Sequence, residues 1–343
     1  MEKTVTIKGK RIGNGYPAYI IAEMACAHDG SLSKAKQLID AAVNAKADAI
    51  QLQFFRADET VVPSHDVYDV LKRIEFTEEE WQGLIDYAKQ SEIAVIVCTF
   101  DLPSVHMAVR LGADAIKLNS ADLSNPEVVA AVSKSGLPFT LGTGASTDAE
   151  IGAGLDRAAN NGARQIILMH GVQNFPTQTP DLNIRRMKYL QEKFGVPAGY
   201  HDHTDGSDSF SRIVDLIAVG MGAHVIEKHI TISRAEKGID YQAALEPAEF
   251  IAYVELLRRA NVALGSAEKT DFSESDLRYR KFQKKSIVAD RNLSAGEVLD
   301  RSMVRFIRNR EPGLPPVELD NLLGKTLTRN IEPFTNIAPE HFS

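Results

Sequence analysis

Two histidines 26 positions apart, His203 and His229, are the residues of this 343-residue chain whose type and placement point most directly to chemistry. Each closes an apolar, strand-like run, 198–203 and 225–229. The segment between them has helix length, carries apolar Ile213, Ile217 and Val219, and is closed by Gly220. Strand, helix and strand in that order predict parallel strands whose carboxyl ends share one edge of the sheet, where the two rings would meet. Facing neutral imidazoles can hold a divalent metal. The pair could instead satisfy buried hydrogen bonds, but the neighbours His201, Asp202, Glu227 and Lys228 favour the metal.

Elements able to place these residues recur along the chain. Strand-like runs stand at 19–22, 49–55, 94–99, 115–120, 139–143 and 165–170, and the two histidine-ended runs bring the set to eight. Helical patterns separate them, among them 33–45, 125–135 and 148–161, and another at 247–264 follows the last strand. Thr77-Glu78-Glu79-Glu80 has the form of a capping box. Eight strand–helix units over about 245 residues match the size and order of a (β/α)8 TIM barrel. A doubly wound sheet would need a Gly-rich dinucleotide turn after the first strand, and none follows it. The site of such a barrel lies at the carboxyl ends of its strands. Those ends carry Glu23, Gln51, Gln53, Cys98, Thr99, Lys117, Ser120, Asp122, Gly142-Thr143-Gly144, His170, Gln173, His203 and His229. Residues 4–13 alternate like a short hairpin beneath the barrel, and 56–75 is long for a strand–helix connection, as a lid would be.

A net charge of −7 argues against a nucleic-acid partner or an anionic membrane surface, although a few local cations still suffice for an anionic substrate. Cys26 and Cys98 are the only cysteines, which excludes a disulfide framework and fits a reducing compartment. The start MEKTVTIKGKRIG has no signal-peptide core, and no apolar run approaches the roughly 20 residues of a membrane span. The expectation is a soluble cytoplasmic protein. Its barrel occupies 1–265, and a charged linker follows at 266–285. A second domain at 286–343 is made of short strands and turns and is too small to build a large core alone.

Several stretches share a family likeness: IAEMACAHDGSL, IKLNSADLSNPEVV, GTGASTDAEI, NFPT, GYHDHTDG, VIEKHIT and ALEP, then SAGEVL and LLGKTLTR. In this order, over the whole chain, they resemble the N-acetylneuraminate (sialic acid) synthase family, a barrel followed by a small antifreeze-like (SAF) domain. The resemblance implies condensation of phosphoenolpyruvate with an amino-sugar aldehyde of N-acetylmannosamine type. The products would be a nine-carbon 2-keto acid sugar and phosphate. It also implies a divalent metal, Mn²⁺ or Mg²⁺, on His203 and His229, polarising the aldehyde oxygen. Glu23 falls on the family's acidic residue for acid–base work. Lys117 falls on its donor-binding lysine, Ser120 on a phosphate-contacting hydroxyl and Asp122 on an acid gripping acceptor hydroxyls. Gln51, Thr143, Gln173 and His201 complete the expected substrate-binding set. The resemblance further implies a domain-swapped homodimer in which Arg310, or Arg308, reaches the acceptor in the other subunit.

The chain departs from the family pattern at several positions. Gln51-Leu52-Gln53 stands for Lys-Phe-Gln, Gly142-Thr143-Gly144 for Ser-Thr-Gly, and His201 for the Ser of Tyr-Ser-Asp-His. Ala27, Cys98 and Tyr241 also differ. The donor site thus lacks one charge and two hydroxyls, and a protonated His201 would restore one charge. A metal-dependent aldolase or hydrolase that kept the scaffold and changed the donor is the alternative activity.

Overall fold

The amino-terminal residues pair as an antiparallel hairpin, β1 (Thr4–Ile7) with β2 (Lys10–Gly13), in a computed structural model that describes residues 1–266, 268 and 271–343. Val5, Ile7 and Ile12 all face one way and pack against Tyr19, Ile21, Ala49, Ala94, Ile96, Ala115, Ile167, Met169 and Val225. These nine belong to six of the eight parallel strands that close into a barrel, so the hairpin plugs its amino-terminal end. The strands are β3 (Tyr19–Glu23), β4 (Ala49–Phe54), β5 (Ala94–Thr99), β6 (Ala115–Leu118), β7 (Phe139–Gly142), β8 (Ile166–His170), β9 (Ala198–Asp202) and β10 (Val225–His229), with β10 pairing back to β3.

Alternation along each strand sorts its residues. Ile20, Ala22, Ile50, Leu52, Val97, Ile116, Leu141 and Leu168 turn outward and form one cluster with helix residues such as Leu38, Trp81 and Phe250. Burial of these branched side chains on both faces accounts for the near-continuous apolar runs read as strands. Helices follow at Leu32–Asn44, Glu78–Gln90, Pro126–Lys134, Asp148–Asn160 and Pro247–Leu264, and Thr77 closes its capping box with Glu80.

The structure adds local detail at three places. The helix Phe210–Gly220 buries Val214, Ala218 and Val219, whereas Ile213 and Ile217 are 47% and 43% exposed. The long connection 56–75 contains two short helices, Ala57–Thr60 and Tyr68–Ile74. Lys72 ties them together, at 3.0 Å from Asp58 and 2.8 Å from Glu75. The stretch taken as linker holds the helix Glu274–Gln283, capped by Ser273 and Asp276 and without a buried side chain. Residues 267, 269 and 270 of that stretch lie outside the described residues.

The chain divides into two compact units, Met1–Gly265 and Ser266–Ser343. In the second, β11 (Ser286–Ala289) and β12 (Val304–Ile307) pair antiparallel, and single bridges such as Leu293 to Ile331 extend the pattern. Ile287, Leu293, Leu299, Leu322, Leu327 and Ile337 form its core. Among the described residues no helix is long and apolar enough to cross a membrane. Cys26 and Cys98 are free and buried.

Candidate active site

At the carboxyl end of the barrel the inward positions change from apolar to ionisable. Glu23 ends β3, Lys117 lies on β6, Glu227 and His229 on β10, and His201 on β9. All five are buried. Lys117 donates to Glu227 Oε1 and lies 3.8 Å from Glu23 Oε2. Burial opposes the ammonium charge, but the two carboxylates outweigh it and hold Lys117 above its usual range. One cation thus faces two carboxylates. Burial first, and then the nearby Glu227 charge, push Glu23 up to about 8, against the pull of Lys117 and the Ala25 backbone amide. That backbone N–H donates to Glu23 Oε1 at 2.6 Å, and Gln53 Nε2 approaches the same oxygen at 3.3 Å. Glu23 Oε2 accepts no hydrogen bond. A carboxyl group with one oxygen anchored, the other free and a raised pKa is equipped to give and take a proton near neutral pH.

The two histidines meet as strand order required. Their ring centroids are 5.2 Å apart, and Phe175 lies against both, at 4.4 Å from His203 and 5.7 Å from His229. His203 Nδ1 donates to the Val172 carbonyl at 2.6 Å, which leaves Nε2 available as a ligand. Burial keeps both rings below the ordinary histidine range, so both are neutral at physiological pH, as metal ligation requires. Among the described residues no cluster of three or more His, Cys, Asp or Glu side chains forms a complete ligand set. The described side chains thus offer a divalent ion this pair of neutral imidazoles and no third ligand, a donor type that suits such an ion.

His201 stacks on His203 with centroids 5.1 Å apart. Burial, then His203 and then Lys117, hold it well below the usual range, so it carries no positive charge and does not replace a missing cation. Its ring occupies the space beside Gly171, where an added Cβ would come within 1.6 Å of Cδ2. Gln51, opposite Glu23 in the strand register, is fully buried, and neither end of its amide meets a partner.

The other expected residues are dispersed. Thr143 lies one step beyond inward Gly142, and its hydroxyl donates to the Met169 carbonyl at 3.0 Å. With His170 it lines a cleft of about 850 Å³ beside the mouth, bordered also by Phe210, Ile217 and Arg186. Ser120, Gly144 and Gln173 share a second hollow of about 500 Å³. Asp122 faces a third of about 350 Å³ with Glu59 and Asp101, and burial raises its pKa. Gly142 has its own reason: a Cβ there would stand 2.9 Å from the Ser120 backbone nitrogen. Arg308 and Arg310 are exposed on the second unit, where Asn309 fixes the turn through the Phe334 carbonyl and Asn336.

Glu227, Phe175 and Asp240 lie outside the expected set. Glu227 was legible, since alternation in Val225–His229 turns it inward with His229. Asp240, pushed up to about 6 by burial, adds to the negative field on Glu23. No local signal in the sequence marks it.

The model of the NeuB family matches residues 38–269, and that of the SAF domain matches 284–342. The N,N'-diacetyllegionaminic acid synthase of Legionella pneumophila is 31% identical to the chain, covering 96% of each. A pseudaminic acid synthase of Campylobacter jejuni is 30% identical over 92% of this chain and 93% of its own. The crystal structure of N-acetylneuraminic acid (sialic acid) synthetase from Leptospira borgpetersenii, in complex with citrate, superposes with a TM-score of 0.74. It is 30% identical and covers 82% of this chain and 97% of that one.

Proposed function

The chain belongs to the NeuB family, and from that premise we propose that its barrel mouth is an acid-sugar synthase site. It joins phosphoenolpyruvate to the aldehyde carbon of an amino sugar, giving a nine-carbon 2-keto acid of sialic acid type. The observation that carries this reading is the buried set of Glu23, Lys117 and Glu227 beside the facing histidines. C3 of the donor attacks the aldehyde carbon, and Glu23 gives its proton to the aldehyde oxygen. Water then adds at C2, returning one proton to Glu23. Collapse at C2 forms the keto group, breaks the bond from C2 to the phosphate's bridging oxygen, and releases phosphate with the remaining proton. Lys117 offers the ammonium for the donor's anionic groups, and neutral Gln51 offers amide hydrogens in the same layer. Ser120, Gln173 and Asp122 border the outer hollows, where the acceptor's hydroxyls would lie.

His203 and His229 would hold a divalent ion, Mn²⁺ or Mg²⁺, which when bound supplies Lewis acidity toward a carbonyl oxygen. The assembly in this reading is a twofold dimer in which the partner's second unit brings Arg310, or its neighbour Arg308, to the acceptor.

A second reading rests on one observation. Lys117 already neutralises a carboxylate, and the buried Gln51 and His201 beside it are uncharged. A metal-dependent aldolase or hydrolase acting on a less anionic sugar substrate suits that balance. Phosphate release from phosphoenolpyruvate, measured with a panel of amino sugars before and after chelator treatment and metal add-back, separates the two. Metal-dependent release supports the synthase. No release with any sugar leaves the second reading standing, and full activity after metal removal rejects the ion.

A further inference from the structure

Behind the site, on the outer face of the same two strands, lies an ion pair that the proposed chemistry does not use. Lys228 of β10 is opposite Asp202 of β9 in the strand register, and both are 0% exposed. The Lys228 ammonium donates to Asp202 Oδ2 and lies 3.8 Å from Asp215 on the helix Phe210–Gly220. The acceptor capacity of Asp202 is filled further by Thr204 Oγ1 at 2.6 Å, the Thr204 backbone N–H at 3.2 Å and the Tyr200 hydroxyl at 3.0 Å. Tyr253 of the helix Pro247–Leu264 donates to Asp215 at 2.9 Å. Burial and the Asp202 charge raise Asp215 well above the carboxylate range, so the network balances as one ammonium and one carboxylate.

The surrounding layer is mainly apolar, and a well-packed apolar pair would stabilise the wall at least as well as a buried ion pair. What the ion pair adds is register. Side chains alternate, so Lys228 outward sets Glu227 and His229 inward, and Asp202 outward sets His201 and His203 inward. A contact with one geometry thus lies one residue from each inward group on both strands.

We propose that Lys228 and Asp202 are positioning residues that fix the separation of His203 and His229 and the place of Glu227 against Lys117. The inference rests in part on the metal reading above. Its test uses the full chain carrying Lys228→Met with Asp202→Asn, which removes both charges together. It also uses Thr204→Val, which loosens Asp202 while keeping the ion pair. Three quantities are read: the thermal midpoint, Mn²⁺ affinity by calorimetry, and the His203 Nδ1–H resonance of ¹⁵N-histidine-labelled protein without metal. The double variant is expected to stay folded, to bind Mn²⁺ at least tenfold more weakly, and to shift or broaden the His203 signal. Thr204→Val should weaken Mn²⁺ binding several-fold and keeps the test informative if the double variant does not fold. A wild-type protein that binds no Mn²⁺ rejects the metal reading, and the ring resonance then decides the positioning role alone. Unchanged Mn²⁺ affinity and an unchanged ring signal in folded variants overturn the inference.

Discussion

Asp48 and Gln51 are three residues apart, one just before β4 at the barrel's amino-terminal end and the other inside it, and they live by different rules. Asp48, below β4, accepts from the Ile20 backbone N–H at 2.7 Å, Lys10 at 2.7 Å and Arg258 at 2.6 Å. The hairpin seals the apolar layer beside it. Gln51 is fully buried, yet neither end of its amide meets a partner, and Glu23 Oε2 and Glu227 Oε2 share that condition. A buried polar group without a partner costs roughly 1–3 kcal/mol. The closed end is satisfied by the protein itself, whereas the open end is left for a ligand to satisfy. Substitutions at the closed end should therefore report on stability alone, whereas those at the open end reach function and, where they break a buried ion pair, stability as well.

The largest effect should come from Lys117→Met, which strands Glu227 and Glu23 without their cation. Breaking a buried pair in this way costs about 3–5 kcal/mol, so both the unfolding midpoint and turnover should collapse. A variant that loses turnover but keeps its midpoint would show that the mouth contributes no stability. Ile12→Ala at the closed end is the counterpart. It should lower stability by about 2–5 kcal/mol in denaturant titration while leaving turnover per folded molecule unchanged. Altered turnover would mean that the two ends are coupled.

Glu23→Gln should keep the fold and lose at least about a hundredfold in turnover. Its pH behaviour sharpens the point. The folded chain holds this proton to about pH 8, whereas an unfolded Glu releases it near 4.3. The stabilisation is complete below the unfolded value and is lost as pH rises toward 8, with a slope of at most about 1.4 kcal/mol per pH unit. Glu23→Gln should remove that slope from the stability profile, and wild-type turnover should decline above pH 8. The smallest effect belongs to Gln51→Lys with His201→Ser, which adds a cation and a hydroxyl to the donor layer. It should tighten phosphoenolpyruvate about tenfold, the scale of one charge-assisted hydrogen bond. Calorimetry showing no gain would place the donor's anion elsewhere.

The barrel was legible because its strands announce themselves twice, by apolar runs and by the helical periods between them. The meeting of the His203 and His229 rings followed from strand order alone. What escaped the sequence depends on three-dimensional surroundings. The ionisation of His201 is set by His203 and Lys117 as well as by burial, none of which is a property of its own segment. The exposure of Ile213 and Ile217 contradicts their hydropathy because burial on that helix is shared among Val214, Ala218 and polar Asp215. Thr143 follows inward Gly142 and lines the outer cleft, with its hydroxyl on the Met169 carbonyl, a partner no local sequence signal names. The helix Glu274–Gln283 has a sound cap and no apolar stripe, so only its Ser273 and Asp276 could have announced it.

Gly171 fixes an order of events. With histidine at 201, any side chain at 171 would have its Cβ 1.6 Å from the imidazole. The His201 backbone oxygen would stand 2.3 Å from that Cβ as well, so glycine is demanded at 171 whatever side chain position 201 carries. A lineage could therefore gain His201 only because 171 already lacked a Cβ, and losing His201 would not release 171: the dependence runs one way.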